Sequence, residues 1–351
     1  MKAVALREHL TIEHPESLLD LTLDTPEPSD TELLVEVQAV SVNPVDTKVR
    51  APKDSILEAP KVLGWDACGI VLAKGAACEL FDIGDRVFYA GDITKPGCNS
   101  QYHTVDQRLV GQAPKSLSAA ESAAMPLTSI TAWEALFDRL KVDLEADNSD
   151  RTILIIGGAG GVGSIAIQLA ARVAGLRVIT TASKPESIDW CLRQGAELVV
   201  NHYKDLPGQL RSLGFTELDY ILCCNDTDMH FEAMCDLIRP QGLICAMVDN
   251  RKPLDNAKLK SKSAGLVWEF MFTRAMFECD DILEQHHILN EVARLLDEGI
   301  LSCTMRERLS PIDAANMKTA HAKLESGSML GKFVLEGWGD SNASIGASSK
   351  Q

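Results

Sequence analysis

Nowhere in these 351 residues does an apolar run approach the roughly 20 residues that a bilayer-spanning helix requires. The N-terminus, Met1-Lys2-Ala3-Val4-Ala5-Leu6-Arg7, meets charge before any signal-like apolar core develops, which points to a cytoplasmic protein. Positive charge is also scarce. The 34 Lys and Arg stand against 50 Asp and Glu, a formal net charge of −16 at pH 7. Such a balance repels phosphate backbones and anionic headgroups, so neither nucleic acid nor membrane is an expected partner. The ten cysteines include no Cys-x-x-Cys pair, and several of them read as small hydrophobes in apolar runs. His230-Phe231-Glu232 with Cys235 is half of a deaminase-type zinc pattern whose Pro-Cys-x-x-Cys half is missing.

What the chain does contain is concentrated between Ile153 and Ala170. There an apolar strand, Ile153-Leu154-Ile155-Ile156, runs into Gly157-Gly158-Ala159-Gly160-Gly161-Val162-Gly163 and then into a helical pattern from Ser164. Gly158-x-Gly160-x-x-Gly163 fits the dinucleotide fingerprint in the strand–turn–helix setting that it needs. Glycines let backbone approach a pyrophosphate, and the helix start offers unpaired N–H groups to it. We therefore expect Gly158, Ala159, Gly160, Gly161, Val162 and Gly163 to hold a dinucleotide.

At this length two domains are the default. Up to about residue 115, short apolar runs such as Leu33–Val37, Gly69–Leu72 and Asp85–Tyr89 are broken by prolines and glycines, the pattern of a compact all-β unit. Ser118-Ala119-Ala120-Glu121 spells a capping box, after which the pattern turns to α/β. Strands are expected at Thr152–Ile156, Arg177–Thr181, Leu198–Val200, Leu218–Leu222 and Leu243–Val248, separated by helical stretches, which argues for a doubly wound parallel sheet. Gly331–Leu335 returns to strand-like residues, and the small, polar segment beyond Gly339 is expected to be disordered.

This ordering resembles the medium-chain dehydrogenase/reductase superfamily. Val42–Arg50, Leu63–Val71 and Met125–Glu134 look like its quinone-oxidoreductase branch, and more narrowly like its zinc-type alcohol dehydrogenase-like proteins. The resemblance implies an α/β chain with a GroES-like β-rich catalytic domain over 1–122 completed by 303–340, a Rossmann domain over 123–302, and a flexible tail over 341–351. It also implies a homodimer paired through edge strands of the Rossmann sheet. Leu243–Val248 fits that role and fits a central buried strand equally well. In zinc-dependent relatives the catalytic ligands are a cysteine, a histidine and a second cysteine; the matching positions here are Asn43, Trp65 and Leu127. Those side chains lack the chemistry of a zinc site, and only Cys98 remains where relatives carry a four-cysteine lobe, so no metal is expected.

An NAD-preferring site usually carries an acidic residue at the tip of its second strand. Here that tip reads Ala182-Ser183-Lys184, so a 2′-phosphate is favoured and NADPH is the expected cofactor. Ser183-Lys184-Pro185-Glu186 also spells a helix start with its own capping box. His202 lies where quinone-reductase-like relatives carry a tyrosine near that phosphate, and a structural role fits it as well. By position after the fourth and fifth strands, Cys224, Asn225, Met247 and Val248 should line the nicotinamide half; by resemblance, Thr128 and Lys332 touch cofactor from elsewhere. Without zinc, the charge that develops on a substrate oxygen must meet hydrogen-bond donors. Asn43 and Tyr89 are the candidates, with Trp65 as an aromatic wall and Asp46 as a buried organiser. The expected activity is hydride transfer from NADPH to a small quinone or α,β-unsaturated carbonyl. Reduction of aldehydes or ketones, and nucleotide binding without turnover, are the alternatives.

Overall fold

The structure, a computed structural model, describes residues 1–339, so the expected tail over 341–351 lies outside the described residues. The first third of the chain carries eight short strands: β1 (Lys2–Leu6), β2 (Leu19–Thr22), β3 (Glu32–Ser41), β4 (Lys61–Val62), β5 (Ala67–Lys74), β6 (Arg86–Tyr89), β7 (Tyr102–Asp106) and β8 (Val110–Gln112). Six parallel-sheet strands follow: β9 (Thr152–Ile156), β10 (Arg177–Thr181), β11 (Leu198–Val200), β12 (Leu218–Cys223), β13 (Ile238–Ala246) and β14 (Gly265–Trp268). Two more, β15 (Met305–Leu309) and β16 (Lys332–Glu336), close the described chain.

The N-terminal strands build a seven-stranded sheet in which β3 is the spine. It pairs antiparallel with β5, with β7 and, at its last residues, with the return strand β16. Ser41 therefore faces Val334, and the end of β3 delivers the chain into the helix Pro44–Arg50 beside β16. That helix begins at an Asn43 cap with proline in its first turn, a position where the missing N–H costs nothing.

The central strands form one parallel sheet in the order β11-β10-β9-β12-β13-β14, so the chain reverses direction across the sheet between β9 and β12. This is the switch point at which doubly wound sheets bind ligands. The first four residues of the run Leu243–Val248 form the second half of β13, which is an interior strand; an outer edge belongs to β14. The expected capping box at Ser118 forms, Glu121 accepting the Ser118 backbone N–H at 2.9 Å. The one at Ser183 does not. Pro185 takes the first helical position, which makes Lys184 the cap residue and leaves the cap without a side-chain bond.

The two units share one apolar core rather than two. Met125, Leu127, Ile130, Ile165, Leu289 and Phe333 belong to the same buried cluster as the β-sheet residues Val35 and Val87, while a second cluster covers the other face of the parallel sheet. Burying a leucine-sized side chain contributes about 1.5–3 kcal/mol, so a shared core holds the two units in fixed register. No helix among the described residues is long and apolar enough to cross a membrane.

Candidate active site

A cleft of about 520 Å³ runs along the seam between the units. Its floor is the turn after β9. Gly157 sits at φ +88°, the left-handed region that glycine tolerates, and a Cβ on Gly163 would stand 2.3 Å from the Gly157 carbonyl oxygen. Both glycines are thus required by backbone rather than by side-chain packing. Ala159, Gly160, Gly161, Val162 and Gly163 line the cleft as expected. Gly158 does not line it: a Cβ there would strike the Thr180 hydroxyl at 1.9 Å, so this glycine serves close packing against β10.

One end of the cleft is polar. Ser183, Lys184 and His202 stand on its wall, and so do Glu186, Ser187 and Tyr203. His202 Nδ1 lies 3.2 Å from the Thr181 hydroxyl, which itself accepts the Gly157 N–H at 2.9 Å. The ring is therefore fixed between the tip of β10 and the turn. Burial lowers its pKa, so at neutral pH it is uncharged until a partner of opposite sign arrives.

At the other end Asn43, Thr128, Leu127, Cys224 and Asn225 converge. Cys224 is inert as a nucleophile, because burial holds its thiol well above the usual range. Met247 and Val248, expected here, are not lining residues; the Val248 carbonyl is turned to the Thr227 hydroxyl at 2.5 Å.

Two expected catalytic side chains are corrected as well. Tyr89 is 1 % exposed, and its hydroxyl is engaged with His103 Nδ1 at 3.0 Å. His103 in turn meets the Pro96 carbonyl at 3.0 Å, so this pair completes an internal chain and presents no donor to the cleft. Trp65 is equally buried, its indole N–H donating to the Asp92 carbonyl at 3.1 Å and its ring edge-on to Phe272. Both lie behind the cleft wall rather than on it.

Lys332 lines the cleft as expected, though with its stem rather than its charge. Its stem borders the cleft beside Gly161, but the ammonium turns inward to Asp66 Oδ2 at 2.9 Å, to the Val42 carbonyl at 3.0 Å and to Asn43 Oδ1. It therefore does not offer its charge to a cofactor phosphate. Asp66 is the residue that sequence reasoning passed over. It accepts from Lys332, from Asn43 Nδ2 at 2.8 Å and from the Leu127 backbone N–H at 2.8 Å. Burial raises its pKa, opposed chiefly by the Lys332 charge and the Asn43 bond. An acid set between Gly64-Trp65 and the apolar run that opens β5 was the signal available, since a carboxylate is seldom buried without a partner. Asp46 adds a second buried carboxyl, its Oδ2 accepting the Asn43 N–H at 2.6 Å and its Oδ1 without a partner.

The zinc positions can be judged on the same geometry. Asn43 is bonded to Lys332 and Asp66, Trp65 to a backbone carbonyl, and Leu127 has no donor atom in its side chain. An ammonium already fills the polar interior between them, and this donor set does not fit zinc.

Residues 29–130 match the alcohol dehydrogenase GroES-like domain, and residues 194–335 match the zinc-binding dehydrogenase domain. A zinc-type alcohol dehydrogenase-like protein of Staphylococcus epidermidis is 40 % identical over 337 residues, covering 95 % of this chain and 99 % of that one. The crystal structure of a putative zinc-dependent alcohol dehydrogenase protein from Rhizobium etli superposes with a TM-score of 0.92 at 48 % identity, covering 97 % of this chain and 98 % of that one. An Arabidopsis thaliana chloroplastic NADPH-dependent alkenal/one oxidoreductase is 32 % identical over 196 residues, 53 % of this chain and 49 % of that one. With the GroES-like sheet, the doubly wound sheet and the glycine cleft between them, the chain belongs to the medium-chain dehydrogenase/reductase superfamily of oxidoreductases, among its zinc-type alcohol dehydrogenase-like members.

Proposed function

We propose that this protein is an NADPH-dependent, zinc-independent oxidoreductase that reduces an α,β-unsaturated carbonyl compound or a quinone. The observation that carries the proposal is the makeup of the cleft: a glycine turn for the pyrophosphate, Ser183 and Lys184 with no carboxylate at the tip of β10, and an amide at the opposite end. Lys184 and Ser183 suit a 2′-phosphate, with His202 beside them. When bound, NADPH supplies a hydride, two electrons and one proton, to the β-carbon of an enone or to a quinone, and water protonates the resulting anion. The chain's own part is to hold cofactor and acceptor together at the Asn43 end. No protonated acid faces that end, which suits acceptors whose reduced form takes its proton from solvent. The similarity to a plant alkenal/one oxidoreductase supports the same substrate class.

Purified protein mixed with NADPH and a panel of enones, quinones and aldehydes tests this by loss of NADPH absorbance. Turnover of enones or quinones is expected; turnover of aldehydes alone overturns the substrate class, and binding without turnover overturns the activity. Lys184→Ala should raise Kd for NADPH by about tenfold or more while changing that for NADH little. Equal losses would reject the phosphate assignment.

A further inference from the structure

Asn43 is 1 % exposed but, unlike Tyr89 and Trp65, borders the cleft, and of its two N–H donors one is only weakly held. Thr128, its neighbour there, donates its hydroxyl to the Met125 carbonyl at 3.3 Å, a bond about as weak as that on the looser Asn43 N–H, but its hydroxyl is not bonded to Lys332. An amide carries an acceptor on one side and two donors on the other, so the direction in which it is turned decides what it offers. The Lys332 ammonium has only protons to give. It therefore compels Oδ1 of Asn43 to face it, and places the NH₂ group on the opposite side. One of those N–H bonds is fixed on Asp66 Oδ2 at 2.8 Å; the other has only the Ser41 carbonyl at 3.4 Å, too long to hold it firmly.

We infer that Lys332 is a positioning residue for the proposed reduction: its buried ammonium locks the flip state of the Asn43 amide, so that the loosely held N–H is available to the substrate oxygen. Asn43 is the catalytic donor in this arrangement, and Lys332 acts through it. The ammonium has all three of its protons engaged, on Val42, Asn43 and Asp66, and is 3 % exposed. It cannot itself turn to a ligand without leaving the Asp66 carboxylate unpaired in the interior. Its contribution is fixed orientation plus polarisation, since a cation against Oδ1 draws charge from the amide and makes the remaining N–H a stronger donor. As hydride reaches the acceptor, negative charge grows on the acceptor oxygen, and a donor already aimed at it needs no reorganisation at that moment. The lock joins three distant pieces of chain: the end of β3, the segment before β5 and the start of β16.

The inference rests on the proposed reduction, and the experiment separates the two. Wild type, Lys332→Met, Lys332→Arg, Asn43→Ala and the double variant Lys332→Met/Asn43→Ala are compared for kcat, KM and Kd for NADPH with one enone and one quinone. Lys332→Met should lower kcat by about 10- to 100-fold with NADPH affinity and KM changed little, which is the range expected for removing one oriented donor. Lys332→Arg, which keeps a donor-only cation, should recover most of that loss. In the Asn43→Ala background Lys332→Met should cost little more, because the residue through which it acts is gone. Additive losses, or kcat unchanged in Lys332→Met, overturn the inference while leaving the reduction standing. If the methionine variant does not fold, failure of Lys332→Arg to retain activity overturns it. If wild type reduces neither substrate, the proposed function fails. The orientation is then judged from the Asn43 side-chain amide signal in a ¹H–¹⁵N spectrum. One sharp pair in wild type that broadens or shifts in Lys332→Met supports the lock, and an unchanged pair refutes it.

Discussion

At the scale of single residues, the site is governed by carboxyls that have been taken out of water. Asp66 has two side-chain partners and a backbone one, and that is what allows it to remain in the interior. Asp46 is different: one oxygen caps the Asn43 N–H and the other has no partner. Burial pushes its pKa up from 3.8 to about 7, against the opposing Asn43 bond and Lys332 charge. Between those two values the unfolded chain gives up a proton that the fold retains. The folded state therefore loses stability as pH rises through that window, and the loss is complete above about 7. Asp46→Asn keeps an acceptor for the Asn43 N–H and cannot ionise. Its Tm relative to wild type should rise by several degrees between about pH 5 and about pH 8 in a thermal melt series. A difference that is constant with pH over that range would show that Asp46 is ionised in the folded state throughout, and would reject the raised pKa.

At the scale of elements, the parallel sheet was legible because its strands are apolar on both faces and bounded by turn residues. β9, β10 and β11 fall on the expected spans, Thr152–Ile156, Arg177–Thr181 and Leu198–Val200. β14 was not legible. Its four residues, Gly265-Leu266-Val267-Trp268, follow a lysine-rich turn and carry too short a pattern to stand apart from loop. The Asn43–Lys332 contact was beyond reach for another reason: 289 residues separate the partners, and only the pairing of β3 with β16 brings them together. The glycine turn is the element on which sequence and geometry agree most closely, and it carries its own test. A Cβ on Gly163 meets backbone at Gly157 and Gly158, at 2.3 and 2.7 Å, with no flexible side chain to give way. Gly163→Ala should therefore raise Kd for NADPH at least about tenfold and lower Tm by several degrees. Gly175→Ala is the control. It meets open space at φ +70°, so its cost is backbone strain alone, and nucleotide affinity should be unchanged. Equal affinity losses in the two variants would assign the effect to the fold rather than to the turn.

At the scale of the whole molecule, the shared core fixes the seam and leaves the two outer edges of the parallel sheet, those of β11 and β14, without a strand partner among the described residues. β14 pairs with β13 on one side; among the described residues no strand pairs on the other. The surface next to that edge is apolar, with Trp268 at 44 %, Phe270 at 45 % and Phe277 at 72 % exposure. An open edge of this kind either aggregates or is covered by another chain. We propose that it is covered by the same edge of a second copy, which would join both sheets in an isologous contact. The sequence offered Leu243–Val248 for this role, but the first four residues of that run are spent on β13, between two neighbours, and cannot pair again. Light scattering after size exclusion should give about twice the chain mass of 38.1 kDa for wild type. Trp268→Glu with Phe270→Glu places charge at that edge on both sides of the two-fold axis, where like charges repel, and should give the single-chain mass. A wild-type mass of one chain, or a dimer that survives both substitutions, would reject the β14 edge as the contact. Cofactor affinity should survive the split, because a single chain already forms a cleft with the glycine turn, Ser183 and Lys184 in place. If NADPH binding were lost on dissociation, the second copy would have to hold part of the cleft in place.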